Sequence, residues 1–91
     1  MTICKHITVR GRVQGVGFRY STLSQAHALG VNGWVRNLWN GQVEILAWGP
    51  PERMNPFIAW CRQGPLHAQV TAADMLDSTP DTTTTGFRIR H

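Results

Sequence analysis

The residues best suited to chemistry lie between positions 11 and 19, where three glycines precede an arginine. The segment reads GRVQGVGFR and places Gly11, Gly15 and Gly17 ahead of Arg19. Glycine adopts left-handed backbone conformations without steric cost, so successive N–H groups in such a segment can converge on one point. A guanidinium adds two parallel hydrogen bonds to an anion held there. The spacing therefore predicts an anion cradle whose charge and size suit a phosphate group.

The same segment lacks the common nucleotide-binding patterns. It contains neither GxxxxGK followed by Ser or Thr nor GxGxxG with a downstream acid, so ATP and dinucleotides are not indicated, and no cofactor is expected. Glycine-rich turns also occur where the backbone merely has to bend. The loop alone therefore leaves two alternatives, an anion site and a plain turn.

The distribution of charge supports an anionic ligand. The net charge is +4, and the first acidic residue is Glu44. The preceding part of the chain holds five basic residues: Lys5, Arg10, Arg12, Arg19 and Arg36. A site built there attracts anions, and it can neither use paired carboxylates as acid and base nor hold Mg²⁺ on Asp or Glu.

The cysteines and histidines do not predict a metal site. Cys4 and Cys61 are far apart with no CxxC, and the four histidines show no HxH or i, i+4 pairing. We expect no metal and two free thiols, with Cys61 packing inside a helix.

Length and composition favour one small globular unit. The chain has 91 residues, of which 42% are hydrophobic and 15% charged, so a single domain over residues 1–91 is expected. No segment has the apolar length of a membrane helix, and the first residues lack a signal-peptide core. These features indicate a cytoplasmic protein that does not bind membranes. We also expect a monomer, although these features do not determine the oligomeric state.

Hydrophobic periodicity predicts the elements on either side of the glycine-rich segment. Residues 3–13 alternate apolar and polar side chains, which is typical of a half-buried strand. Residues 18–29 change to helical spacing and are followed by Gly30, a suitable residue for the helix C-terminus. The glycine-rich segment therefore connects a strand to the start of a helix.

The rest of the chain predicts a hairpin, a second helix and two strands. Residues 31–37 and 43–48 flank Asn40-Gly41, a pair that can supply the positive φ of a tight turn. The second helix ends before Gly64-Pro65. It begins either near Glu52, with Pro56 in the first full turn where it removes one hydrogen bond, or after Asn55 as N-cap with Pro56 as the first helical residue, and we favour the earlier start. The strand candidates are residues 68–76 and 87–90.

This element order predicts an α+β, ferredoxin-like βαββαβ sandwich with a short C-terminal strand. Each helix has one apolar stripe and each strand one apolar face. Both helices should therefore cover one face of an antiparallel sheet.

Two segments give the sequence a close resemblance to the acylphosphatase family. They read VRGRVQGVGFR at residues 9–19 and GWVRNLWNGQV at residues 33–43, and the likeness continues to Ile89. The resemblance implies hydrolysis of an acyl phosphate to a carboxylate and inorganic phosphate, without a metal or a covalent phosphoenzyme. It assigns phosphate binding to Arg19 and orientation of the attacking water to Asn37. It assigns the amides of the cradle to Gln14, Gly15, Val16, Gly17 and Phe18.

Other interpretations remain at this stage. A basic ferredoxin-like sheet can bind RNA, but strand one offers His6, Thr8 and Arg10 on its open face and no stacking aromatic, so we expect no nucleic acid. The chain is also similar to the acylphosphatase-like domain of a hydrogenase maturation protein, although Tyr20 stands where that family tends to have Pro. Trp39 either borders the entrance of the site or is an exposed turn residue.

Overall fold

The computed structural model describes residues 1–91 as an α+β sandwich in which two helices cover one face of a five-stranded sheet. The elements are β1 (Ile3–Arg12), α1 (Phe18–Leu29), β2 (Asn32–Asn37), β3 (Val43–Gly49), α2 (Pro51–Gln63), β4 (Gln69–Asp77) and β5 (Phe87–Ile89). The order of elements is the one predicted from periodicity. Neither helix is long and apolar enough to cross a membrane.

The sheet has the strand order β4-β1-β3-β2-β5, and it is mixed. The pairs β1–β3, β1–β4 and β2–β3 are antiparallel as predicted, whereas β5 runs parallel to β2, with Phe87 opposite Gly33. The parallel direction of β5 follows from the path of residues 78–86. Strand β4 ends opposite Lys5, at the end of the sheet where β1 begins, and the chain then crosses this end to the other edge. A strand that enters from this end has the direction of β2.

The main core lies between the sheet and the helices. Ile7, Val9, Val43 and Ile45 on the central strands are fully buried, as the alternation along β1 and β3 predicts. The opposite face of the sheet carries a smaller cluster formed by Cys4, Trp34 and Leu46, with Trp48 packed against it. The face of the sheet without helices is therefore partly apolar, although no other element covers it.

Helix α1 has the predicted limits. Its buried residues Phe18, Thr22 and Ala26 recur every fourth position and face the core. Gly30 follows with a φ of 73°, and its N–H donates to the carbonyl of Ala26. A left-handed residue of this kind satisfies a carbonyl at the end of the helix, so Gly30 defines the C-terminus of α1.

Helix α2 begins at Pro51, which agrees with the favoured start near Glu52 and not with a start at Asn55. Its first residue is Pro51, preceded by Pro50, and the carbonyl of Pro50 accepts hydrogen bonds from the N–H groups of Arg53 and Met54 at 3.0 Å. Pro51 fits this position because the first N–H of a helix has no intrahelical partner. Pro56 therefore lies inside the helix, where it cannot donate to the carbonyl of Glu52.

Replacing the internal proline should stabilise the protein. We expect Pro56→Ala to raise the free energy of unfolding by about 1–2 kcal/mol, because it restores one hydrogen bond and removes a clash, partly offset by a more flexible unfolded chain. Pro51→Ala is the matched control and should change stability by less than about 0.5 kcal/mol, since its N–H has no partner. Urea unfolding measures both. A neutral or destabilising Pro56→Ala would contradict this account of α2.

Candidate active site

The glycine-rich segment forms a loop between β1 and α1. Gly15 and Gly17 have φ values of 75° and 76°, while Val16 between them has a negative φ, as do all residues other than glycine. Residues of alternating handedness point successive N–H groups toward the same side, which creates an anion-binding concavity. The predicted curled backbone is therefore present in the part of the loop immediately before α1.

Gly11 has a different role from the one predicted. It pairs with Val70 of β4, where the register between β1 and β4 shifts after Arg10. A Cβ at Gly11 would lie 2.1 Å from the carbonyl oxygen of Gln69. Gly11 therefore allows two backbones to approach closely at a bulge, and only Gly15 and Gly17 shape the loop.

The loop and the first turn of α1 present unpaired N–H groups. No backbone or side-chain acceptor binds the amides of residues 14–20, and the first hydrogen bond of the helix is donated by Ser21 to the carbonyl of Gly17 at 3.0 Å. The helix has no side-chain cap and no acidic residue in its first turn. Free donors together with the positive end of the helix dipole favour an anion at this point.

A cavity of about 220 Å³ lies above these amides. Its lining residues are Val13, Gln14, Gly15, Gly17, Phe18, Arg19, Tyr20 and Asn37. The structure thus brings together the two residues that the sequence singled out, Arg19 and Asn37, although they are far apart in the chain. Val16 does not line the cavity, because its side chain packs against the core.

Arg19 supplies the charge of this cavity. It is the only Asp, Glu, Lys or Arg in the lining. The ion pairs of the fold use Lys5, His6, Arg10 and Arg36, and none of them uses Arg19. Its guanidinium is therefore available for a bidentate interaction with an anion.

Asn37 reaches the cavity from the end of β2. It pairs with Val43 of β3, immediately before the hairpin loop begins. Its side-chain amide takes no part in the hydrogen bonds that organise the surrounding loop. The amide thus has a free donor and a free acceptor in the cavity that Arg19 also lines.

The side chain of Gln14 joins the glycine-rich loop to the hairpin that carries Asn37. Its Nε2 donates to the carbonyl oxygens of Leu38 at 2.6 Å and Gln42 at 2.8 Å. These two residues close the hairpin loop, because the N–H of Leu38 donates to the same Gln42 oxygen at 2.9 Å. The sequence indicated only a main-chain role for Gln14, and its side-chain role was missed.

The turn of the hairpin places its positive φ on one residue. Gly41 has a φ of 88°, whereas Asn40 does not enter the left-handed region. Asn40 instead accepts the N–H of Gln42 at its Oδ1, at 3.1 Å. Trp39 is 97% exposed and does not line the cavity, which favours the exposed-turn interpretation of this residue.

The two cysteines lie outside the site. Both are free and buried, and burial raises the pKa of each thiol. A thiol with a raised pKa stays protonated at neutral pH and is a poor nucleophile. Cys61 packs in the core as the sequence predicted.

Comparison with known proteins identifies the family. The family model for acylphosphatase matches residues 5–89. A curated acylphosphatase from Thermococcus kodakarensis is 49% identical over 76 residues, which cover 84% of each chain. The crystal structure of acylphosphatase from Bacillus subtilis superposes with a TM-score of 0.91 at 36% identity over 100% of both chains. The chain therefore belongs to the acylphosphatase family, which are hydrolases of acyl phosphates.

The same fold occurs inside a much larger protein. The structure of HypF from Thermococcus kodakarensis matches with a TM-score of 0.85 and 29% identity, over 98% of this chain and 12% of that one. A domain of this architecture therefore also occurs as a small part of a longer chain.

The hydrogen bonds of Gln14 can be tested by removing the donor while keeping the side-chain length. We expect Gln14→Met to lower the free energy of unfolding by about 1–2 kcal/mol through loss of two hydrogen bonds. Turnover should fall by about 10-fold or more, because Asn37 loses its fixed position relative to the loop. Gln42→Met is the matched control, since Gln42 contributes only its main chain to the contact. Native stability and turnover in Gln14→Met would contradict the positioning role.

Proposed function

We propose that this chain hydrolyses acyl phosphates by direct attack of water on phosphorus, with Arg19 and the amides of residues 14–19 binding the phosphoryl group and Asn37 orienting the water. The observation that carries this proposal is a single cavity holding unpaired backbone donors, a free guanidinium and a free carboxamide. Family membership supplies the reaction class. The geometry supports the assignment of roles.

The phosphoryl group suits the donors of the cavity. The loop amides and the helix N-terminus can contact some of its oxygens while Arg19 contacts two others. In phosphoryl transfer, charge develops on these oxygens, and fixed donors stabilise it without reorganising. Rate acceleration therefore comes mainly from preorganised electrostatics.

Asn37 suits the nucleophilic water. A neutral carboxamide has both a donor and an acceptor with which to hold a water molecule in line, and it does not repel the substrate as a carboxylate would. Water attacks phosphorus, and the bond between phosphorus and the acyl oxygen breaks. The bond electrons leave with the carboxylate, and a phosphate oxygen takes the proton of the water.

This chemistry explains why the site functions without acidic residues. A carboxylate is a good leaving group that needs no general acid, so positioning and charge stabilisation carry the reaction. No metal or cofactor enters the proposed mechanism. We also propose that the protein acts as a monomer. Its two free buried thiols support a location in a reducing compartment such as the cytoplasm.

Nucleic-acid binding through the open face of the sheet is less well supported. Trp34 on this face is only 7% exposed and lies beneath Arg36 and Arg90, whose guanidinium carbons are 5.4 Å and 4.8 Å from its ring centroid. Burial raises the pKa of the Glu44 carboxyl, but hydrogen bonds from His6 and Arg36 outweigh this effect and lower the pKa. Glu44 is thus ionised and offsets the charge of Arg36. The buried ring of Trp34 cannot stack on a base, so this face lacks the contact that RNA-binding sheets use.

The role of Arg19 predicts a loss of phosphate affinity. Arg19→Ala should abolish competitive inhibition by inorganic phosphate and lower kcat/KM by about 10²-fold or more, because a preorganised donor is removed. Arg19→Lys should recover only part of the loss, since an ammonium cannot form the bidentate contact. Arg12→Ala, which removes an exposed charge at the end of β1, is the matched control for net charge. Unchanged phosphate inhibition in a folded Arg19→Ala protein would refute the assignment.

The role of Asn37 predicts that binding and turnover separate. Asn37→Ala should keep the inhibition constant of inorganic phosphate and lower kcat by about 10²-fold or more, because water positioning stabilises only the transition state. Asn37→Asp should also be slow, since its charge repels the phosphoryl group.

The alternative for Asn37 is that it only ends a strand. In that case, Asn37→Ala would lower the free energy of unfolding by up to about 1 kcal/mol and leave kcat nearly unchanged. Measuring kcat, the phosphate inhibition constant and the urea midpoint on one sample distinguishes the two outcomes.

A further inference from the structure

A second cavity adjoins the candidate active site and has no role in the mechanism above. Its volume is about 380 Å³, and it forms a groove between the outer face of α1 and the C-terminal end of α2. The lining residues are Tyr20, Ser21, Ser24, Gln25, Trp60 and Pro65. We refer to these six residues as the helix groove.

The helix groove is a neighbour of the phosphate-binding cavity and shares one lining residue with it. Tyr20 lines both cavities. The ring of Phe18, which lines the phosphate-binding cavity, lies 5.5 Å from the ring of Trp60 in the helix groove, measured between centroids. Tyr20 is thus the residue over which a substrate held by Arg19 would extend to reach the groove.

The direction of the reaction favours this path. The attacking and leaving oxygens of a phosphoryl transfer lie roughly in line on opposite sides of phosphorus. Asn37, which we assign to the water, enters the phosphate-binding cavity from the sheet, and Tyr20 enters it from α1. A water on the Asn37 side thus directs the acyl group away from the sheet and toward the helices.

We propose that the helix groove binds the acyl portion of the substrate and selects uncharged acyl groups that have a flat aromatic ring. This inference rests on the proposed function and adds the class of acyl group. Tyr20 and Trp60 supply aromatic surface, and Tyr20 is 72% exposed, so a substrate ring can cover it.

The other lining residues define the chemistry of the preferred group. Ser21, Ser24 and Gln25 can form hydrogen bonds with polar substituents on the edge of a ring, and none of the six residues is Asp, Glu, Lys, Arg or His. A charged acyl body would find no counterion in this groove. A short aliphatic acyl group would not reach it.

The test compares benzoyl phosphate, which carries a ring, with acetyl phosphate, which does not. The readout is the ratio of their kcat/KM values, because damage to the phosphate-binding cavity affects both substrates and cancels. Tyr20→Ala should lower this ratio by about 10-fold, the effect of losing contact with one aromatic surface. Trp39→Ala is the matched control: it removes the other aromatic side chain exposed near the site, which lines neither cavity, and should keep the native ratio.

A second pair of variants tests the part of the groove beyond Tyr20. Ser24→Trp fills the groove one turn further along α1 and should lower the ratio by about 10-fold while leaving turnover of acetyl phosphate unchanged. Ala28→Trp adds the same bulk one more turn along the helix, outside the lining, and should keep the native ratio.

The outcomes distinguish the inference from the proposed function. If Tyr20→Ala and Ser24→Trp hydrolyse both substrates with the native ratio, the helix groove does not bind the acyl group and the inference is overturned. If the native protein hydrolyses neither substrate, or inorganic phosphate does not inhibit it, the proposed function itself fails.

Discussion

The two hydrogen bonds from Gln14 to the hairpin are the constraint on which the site depends. The proposed phosphate-binding loop follows β1, whereas Asn37 ends β2, and β3 lies between these strands in the sheet. The side chain of Gln14 spans this separation and holds the loop against the carbonyls of Leu38 and Gln42. In the proposed mechanism, the folded chain thereby sets the distance between the phosphoryl group and the attacking water before any substrate arrives, as catalysis by positioning requires.

The same loop keeps its backbone amides unpaired, so its hydrogen-bond donors are free to bind an anion. Solvent can satisfy the N–H groups of residues 14–20 in the free protein, so the lack of a protein acceptor lowers the stability of the fold only slightly. A bound anion would take the place of this water. The left-handed conformations at Gly15 and Gly17 are accessible to glycine without strain, so the curled loop is formed in the protein without a ligand at no steric cost. Binding a phosphoryl group therefore requires little reorganisation, and most of the interaction energy is available for stabilising the transition state.

The sequence predicted the features that depend on local patterns. The limits of α1 follow from the change to helical spacing at Phe18 and from Gly30, and Arg19 and Asn37 lie in recognisable motifs. The parallel pairing of β5 was not predictable, because it depends on where residues 78–86 cross the sheet. The side-chain role of Gln14 depends on contact with residues more than 20 positions away. The helix groove was missed because it combines residues of α1 with Trp60 and Pro65, which are distant in the sequence. Tyr20, an aromatic residue next to Arg19, was the one available signal.

The most direct test of this account is a titration of the ¹⁵N-labelled native protein with inorganic phosphate, followed by backbone amide chemical shifts. If the cradle binds the phosphoryl group, the largest shifts should fall on the amides of residues 14–20 and on the guanidinium of Arg19, with a single saturation curve. The side-chain amide of Asn37 should shift less, since it faces the water. Large shifts confined to the open face of the sheet around Trp34, with residues 14–20 unmoved, would contradict the account.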